Sequence, residues 1–181
     1  MLKNPLRLNR LMIIAYFTGD KISSNSGDAF SLNEKSSFGE KMGEKIEYAL
    51  VEALFLIEEK KMHVFSNKKS LKLDDLVKKI KKKDKKIKTK IYVFSDLRKR
   101  GYIVKTALKF GAEFRIYEKG IKPGENHARW ILYTSNEHDV LSWHDFAAKN
   151  RVAHSTKKKL LIAVVDDESD VSYYEVSWLK P

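Results

Sequence analysis

The sequence predicts a mixed α/β (α+β) chain made of two small domains. Two observations support this prediction: the apolar residues alternate in some segments and recur every three to four residues in others, and a lysine-dense stretch separates the two halves. A chain of 181 residues with 43% hydrophobic content can bury one sizeable core or two smaller ones. We therefore expect an N-terminal α/β domain over residues 1–86 and a C-terminal domain over residues 87–181.

The first half begins with short strands and turns and continues with helices. A β-rich run, Leu11 to Phe17, is closed by Gly19 and Asp20. Helical spacing of apolar residues then extends from Glu44 to Glu59, and a second helical stripe covers Leu73 to Lys82.

The second half is predicted to contain one helix, three strands, a second helix and a final pair of strands. The first helix starts near Ile87 and ends at Gly101, because glycine suits the left-handed position after a helix. Ser142 and Asp145 form the capping pattern of a helix that reaches about Asn150. The predicted strands are Tyr102 to Thr106, Phe114 to Tyr117, Arg129 to Thr134, Leu160 to Val165 and Tyr173 to Leu179. These alternations indicate a mixed sheet flanked by helices.

Charge and composition narrow the function classes. A formal net charge of +12 and a pI near 9.6 favour a polyanionic partner, because lysine and arginine displace counterions from phosphates. Basic membrane-surface proteins and lysine-rich thermophile enzymes share this charge, so it names no substrate. The lysine run from Lys78 to Lys90 is either a solvated helix face or a phosphate-tracking surface. The richness in lysine and glutamate is typical of thermophiles.

Two absences in the sequence exclude further classes. The chain has no cysteine, which excludes disulfides, cysteine-based zinc sites and thiol catalysis. Its longest apolar runs are well short of the roughly 20 residues that a membrane helix needs. Residues Met1 to Arg10 lack the apolar core of a signal peptide, so we expect a cytoplasmic protein.

Two segments of the second half carry a family resemblance. They are DLRKRGYIVKTALKFGAEFRIYEKG (Asp96 to Gly120) and RVAHSTKKKLLIAVVD (Arg151 to Asp166), and with a weaker match at VEALFLIEEKKMHV (Val51 to Val64) they resemble the archaeal tRNA-splicing endonucleases. The resemblance implies a catalytic triad of Tyr117, His127 and Lys158.

The resemblance also implies a function and an assembly. Members of the family cleave precursor tRNA at bulge-helix-bulge intron junctions, leave a 2′,3′-cyclic phosphate and a 5′-hydroxyl, and need no metal or cofactor. Their C-terminal domain has a nuclease-like sheet. They work as homo-oligomers or as heterotetramers with a structural subunit.

The resemblance assigns two further sets of residues. It implies that Arg151 holds a bulge base, whereas the alternative is an arginine that complements the helix dipole. Tyr173, Tyr174 or Trp178 could stack on the same base, although alternating aromatics in a terminal strand are more often core. The resemblance also implies that an acidic turn docks on a partner subunit. The alternative is a solvated hairpin turn. The turn residues are Asp166, Asp167, Glu168 and Asp170.

The three triad residues suit attack by a 2′-hydroxyl on a phosphate. His127 can act as the acid because imidazole titrates near pH 6.5, and Lys158 can stabilise charge on the phosphorane. Tyr117 is the hardest to justify as a base, since ionising a phenol with a pKa of about 10 at pH 7 costs roughly 4 kcal/mol. We expect the Lys158 ammonium to lower that cost. Taken singly, each residue could also be structural.

Two rival functions make distinct expectations. A metal-dependent nuclease needs a strand-borne acid followed by Glu-x-Lys, and the residues with similar spacing, Glu58 to Lys60, end a predicted helix. A non-catalytic structural or tRNA-binding subunit needs only basic surface and would be free to lose the triad. We therefore expect no metal site and favour the catalytic subunit.

Overall fold

The chain divides after Leu76 into two compact units in the computed structural model, which describes residues 12–19 and 21–179. Each unit combines a sheet with helices, so the predicted mixed class is confirmed. The segment Met1 to Arg10, from which we inferred the lack of a signal peptide, lies outside the described residues, as do Leu11 and Asp20. Among the described residues, no helix is long and apolar enough to cross a membrane.

The N-terminal unit is built on a six-stranded sheet with strand order β3-β4-β2-β1-β5-β6. Strands β1 and β5 are parallel, and the other neighbours are antiparallel. Alternate strand residues such as Ile13, Ala15 and Ile22 are fully buried. The elements are β1 (Ile13–Thr18), β2 (Lys21–Ser24), α1 (Gly27–Ser36), β3 (Glu40–Met42), β4 (Lys45–Tyr48), α2 (Leu50–Glu58), β5 (Met62–Ser66), β6 (Lys69–Leu71) and α3 (Leu73–Lys81), which runs across the unit boundary.

Two expectations for this unit were wrong. The helix predicted from Glu44 starts only at Leu50, because residues 45–48 pair with β2 and β3 and the buried Glu52 carboxylate accepts the backbone N–H of Ala49 at 3.0 Å. Helix α1 was not predicted. It starts at the N-cap Ser26 but buries only Ala29 and Leu32, which is too short a stripe to stand out in the sequence.

The C-terminal unit contains the elements that the sequence predicts, with shifts of about one to three residues at most ends. The helix predicted to reach about Asn150 is longer and ends at Ser155. Gly101 has a positive φ of 91° directly after the first helix, as expected. The elements are α4 (Ile87–Lys99), β7 (Ile103–Ala107), a 3₁₀ turn (Leu108–Phe110), β8 (Ala112–Tyr117), β9 (Trp130–Asn136), α5 (Trp143–Ser155), β10 (Lys159–Val165) and β11 (Val171–Val176).

The five strands of this unit form one sheet, ordered β11-β10-β9-β8-β7, with a helix on each face. Helix α4 packs on one face, where the rings of Phe94 and Phe114 lie 5.9 Å apart. Helix α5 packs on the other, where Ala153 lies against Ile131 and Leu160. Strands β9 and β10 are parallel, and α5 is the crossover between them. The starts of β9 and β10 therefore lie at the same end of the sheet as the end of the antiparallel β8.

Candidate functional site

The sheet topology brings the three predicted triad residues to one end of the C-terminal unit. Tyr117 is the last residue of β8, His127 lies in the loop before β9, and Lys158 directly precedes β10. All three line a cavity of about 340 Å³. We call it the triad cavity; its other lining residues are Phe110, Arg115, Gly124, Glu125, Asn126 and Ala128.

Tyr117 and His127 differ in exposure. Tyr117 lies where β8 borders the cavity and is only 5% exposed, whereas His127 is exposed. A tight turn precedes His127: the N–H of Glu125 donates to the carbonyl of Lys122 at 3.1 Å, and Gly124 has a φ of 99°. Proline and then a positive-φ glycine at its two central positions are typical of a type II turn. Pro123 and Gly124 thus form the turn that leads into the histidine.

Lys158 is held by the end of α5 and by an aromatic ring. Its ammonium donates to the carbonyl of Thr156 at 2.9 Å and lies 5.6 Å from the centroid of the Phe110 ring. Lys157 and Lys159 do not line the triad cavity, so the structure separates three lysines that the sequence alone does not. The side chain of Lys158 is half-buried, which strengthens its interaction with a nearby anion.

Arg115 lines the triad cavity and was not among the predicted site residues. It lies two positions before Tyr117 on β8, and residues two apart on a strand face the same side of the sheet. It therefore adds a second cation to the triad cavity. That period of two would have been enough to find it from the sequence.

A larger and strongly basic cavity adjoins the triad cavity. It has a volume of about 790 Å³ and shares His127, Ala128 and Lys158 with the smaller one. We call it the basic cavity; its remaining lining residues are Arg129, His154, Ser155, Lys157 and Lys159.

Two of the basic cavity's cations, Arg129 and Lys159, have acidic partners. The guanidinium of Arg129 pairs with Glu118 and stacks 4.7 Å from the Trp130 ring centroid. The ammonium of Lys159 pairs with Glu175, and this hydrogen bond, together with one donated by the Trp130 indole, lowers the pKa of the Glu175 carboxyl.

The predicted base-stacking residues occupy different environments. Arg151 lies exposed on α5 and lines neither cavity. Tyr173 is half-buried; its hydroxyl donates to Asp96 at 2.8 Å, the Arg100 guanidinium lies 5.8 Å from its ring centroid, and burial raises its pKa. Tyr174 and Trp178 are each 58% exposed. The Trp178 ring packs edge-on against His154, three residues after Arg151 on α5, at 4.4 Å.

The acidic turn lies at the opposite end of the sheet from the triad. It is the tight hairpin between β10 and β11, in which the Asp166 carboxylate accepts the N–H of Asp170 at 2.8 Å. Asp167, Glu168 and Asp170 are exposed, and Asp166 is half-buried. The carboxylate of Asp167 lies 3.1 Å from the ring of His138 and raises its pKa.

One group of the described side chains has spacing that could suit a metal ion. Glu137, His138 and Asp167 offer three ligand atoms within 4.8 Å of one another, and all three are exposed. This group lies beside the acidic turn, at the other end of the sheet from Tyr117. A metal there would not contact a phosphate held in the triad cavity. Glu58 to Lys60 end α2, as predicted.

Comparisons with known proteins cover both units. A family model described as the tRNA intron endonuclease catalytic C-terminal domain matches residues 87–173, and one described as the N-terminal domain of the same family matches residues 13–77.

Curated relatives match over most of the chain. A tRNA-splicing endonuclease from Thermococcus kodakarensis is 38% identical over 93% of this chain and 99% of its own length. One from Pyrococcus horikoshii is 40% identical over 91% of this chain and 95% of its own. One from Nanoarchaeum equitans is 38% identical over 75% of this chain and 90% of its own.

Proposed function

Because the chain belongs to the tRNA intron endonuclease family, we propose that it is a catalytic subunit that cleaves precursor tRNA at bulge-helix-bulge intron junctions. The relatives described above are themselves named tRNA-splicing endonucleases. The observation that carries the proposal is the shared lining of one cavity by Tyr117, His127 and Lys158. A phenol, an imidazole and an ammonium can together remove a proton, donate a proton and stabilise an anion.

The proposed reaction is an in-line attack by the 2′-hydroxyl of the nucleotide before the scissile phosphate. Tyr117, acting as the base, takes the proton from the 2′-oxygen, which then forms a bond to phosphorus. The bond from phosphorus to the 5′-oxygen of the next nucleotide breaks, and His127 donates a proton to that oxygen. The products are a 2′,3′-cyclic phosphate and a 5′-hydroxyl, so no metal or cofactor enters the atom balance.

Lys158 has the electrostatic role in this proposal. Negative charge grows on the non-bridging oxygens as the phosphorane forms, and a fixed ammonium stabilises that charge more than it stabilises the ground state. The contacts of Lys158 to the Thr156 carbonyl and the Phe110 ring support the role, because they hold the cation in place before substrate binds.

The alternative is a non-catalytic structural or tRNA-binding subunit. Such a subunit needs a basic surface but has no need for a phenol, an imidazole and an ammonium around one cavity. The retained triad cavity therefore favours the catalytic subunit over the structural one.

The proposal also includes residues for substrate binding and for assembly. Arg151 binds a bulge base by stacking, and the position of Trp178 beside His154 favours this tryptophan over Tyr174 as the partner ring. The exposed acidic turn at Asp166, Asp167, Glu168 and Asp170 docks on another subunit of a homo-oligomer or heterotetramer.

The boundary between the N-terminal and the catalytic domain lies at residues 86 and 87 in this proposal. The two family models match residues 13–77 and 87–173, so the interval between them contains most of the lysine-dense segment. A lysine-rich stretch of low hydrophobicity is the expected composition of such a junction.

The proposal is tested with a bulge-helix-bulge RNA, excess EDTA and analysis of the product ends. We expect cleavage at the junctions, 2′,3′-cyclic phosphate and 5′-hydroxyl ends, and loss of cleavage in His127→Ala. The exposed His144→Ala, on a helix surface that lines neither cavity, is the matched control. An inert chain that becomes active only when a second subunit supplies its own triad would instead support the structural role.

A further inference from the structure

The basic cavity contains a lysine whose charge no acidic side chain neutralises. In the part of the chain that the structure describes, Arg129 pairs with Glu118 and Lys159 pairs with Glu175, whereas Lys157 has no acidic partner. None of the described residues that line this cavity carries a carboxylate. The site therefore favours an anionic ligand. Lys158 also has no acidic partner among the described residues, but its ammonium donates to the Thr156 carbonyl and it lines the triad cavity as well. Lys157 is the unneutralised lysine that lines the basic cavity and not the triad cavity.

The backbone at Lys157 is strained in a way that a glycine would relieve. The end of α5 is a Schellman motif, in which Lys157 N–H donates to the His154 carbonyl at 3.0 Å and Lys158 N–H to the Ala153 carbonyl at 2.8 Å. Lys157 occupies the left-handed position of this motif, with a φ of 54°. For a non-glycine residue this conformation costs roughly 1–2 kcal/mol. A glycine at this position would remove the lysine charge without adding backbone strain, so the role of the side chain can be tested separately from folding.

The two cavities also indicate a direction for the bound strand. His127 and Lys158 line both cavities, whereas Tyr117 lines only the triad cavity. If Tyr117 takes the 2′-hydroxyl proton, the nucleotide before the scissile phosphate lies on the side of the triad cavity. The leaving nucleotide, to which His127 donates a proton, then lies on the side of the basic cavity.

We propose that the basic cavity binds the RNA phosphodiester that follows the scissile phosphate on its 3′ side, with Lys157 as the contacting cation. This inference rests on the proposed endonuclease function and adds a second phosphate site to it. Arg129 and Lys159, which are held by their acidic partners, shape the cavity and add positive potential. The contact with Lys157 fixes the position of the leaving strand along the cavity.

The chain offers a matched control for this lysine in its N-terminal unit. Lys60 also follows a helix in the left-handed conformation, with a φ of 56°, and makes the same pattern: its N–H donates to the Ile57 carbonyl and that of Lys61 to the Leu56 carbonyl. It lines neither cavity. Lys157→Gly and Lys60→Gly therefore remove the same charge from the same backbone geometry, and only the first removes it from the proposed site.

The experiment measures binding of a bulge-helix-bulge RNA that carries a 2′-deoxy nucleotide before each scissile phosphate. We expect Lys157→Gly to bind about fivefold more weakly, as for one partly exposed ion pair, and to lower the slope of log K against log salt by about 0.7–0.9. Lys60→Gly and the charge-preserving Lys157→Arg should bind as the wild type does. Both glycine variants should be at least as stable as the wild type, which separates lost binding from lost folding.

A second RNA identifies the phosphate. It carries an uncharged methylphosphonate in place of the phosphodiester that follows the scissile one. The wild type should lose about as much affinity for this RNA as Lys157→Gly loses for the native RNA, and Lys157→Gly should lose nothing more. Two results would overturn the second phosphate site while leaving the endonuclease function intact. One is an equal loss of affinity for the methylphosphonate RNA in the wild type and in Lys157→Gly. The other is an affinity of Lys157→Gly for the native RNA that equals that of the wild type. A wild type that does not cleave the all-ribose RNA would overturn both.

Discussion

Replacing Lys158 by methionine should separate catalysis from stability. Methionine keeps an unbranched apolar side chain over the Phe110 ring but removes the charge and the hydrogen bond to the Thr156 carbonyl. The catalytic cost should resemble the loss of one preorganised group that stabilises an oxyanion, about 10²–10³ in kcat or roughly 3–4 kcal/mol. The stability cost is that of one ordinary hydrogen bond and a partly exposed cation–π contact, together about 1–2 kcal/mol.

The assay pairs single-turnover cleavage at saturating enzyme with urea unfolding of the same protein. Saturation removes differences in RNA affinity, so the rate reports the step at the phosphate. Phe110→Leu is the control, because it removes the ring beneath the ammonium and keeps the charge; it should lose stability with a much smaller loss of rate. A rate for Lys158→Met within tenfold of the wild type would refute the assignment of Lys158 to the reacting phosphate.

Three further changes test other parts of the structure. Tyr117→Phe should abolish most cleavage and remove one ionisation from the pH–rate profile, and a profile of unchanged shape would count against the phenol as base. Tyr173→Phe should cost about 1 kcal/mol at neutral pH by removing the hydroxyl bonded to Asp96. Burial raises the Tyr173 pKa above the value of about 10 in unfolded chains. Its contribution to the free energy of unfolding is therefore full below pH 10 and falls as pH rises further. Urea unfolding at pH 7 and 11 should show a smaller alkaline loss of stability in this variant than in the wild type. Reversing the charges at Asp167, Glu168 and Asp170 should lower the oligomer mass measured by light scattering, and an unchanged mass would show that the turn has no role in assembly.

The sequence was sufficient for local structure wherever one strong pattern governed it. Gly101 ends α4 and Ser142 caps α5 as predicted, because a left-handed backbone position and an orphan helix N–H each select a few residue types. The start of α2 was misplaced, because the apolar spacing around Ile46 fits both a helix and a strand. Pairing of residues 45–48 with distant strands decided in favour of the strand.

The arrangement of the site depended on long-range topology, which spacing alone does not contain. The sequence pattern did not distinguish Lys158 from Lys157 and Lys159. All three line the basic cavity, and only Lys158 also lines the triad cavity. Arg129 and His154 were missed for the same reason. Their place in the basic cavity follows from the parallel pairing of β9 and β10 across α5, which joins two segments far apart in the chain.

In the proposed reaction a 2′-hydroxyl attacks the scissile phosphate between Tyr117, His127 and Lys158. A bulge-helix-bulge RNA with a single 2′-deoxy nucleotide before one of its two scissile phosphates removes that nucleophile from one junction. We expect normal binding, no cleavage at the altered junction, and cleavage in EDTA at the unaltered junction to a 2′,3′-cyclic phosphate. Cleavage at the altered junction would rule out this reaction, because another nucleophile would then have attacked the phosphorus.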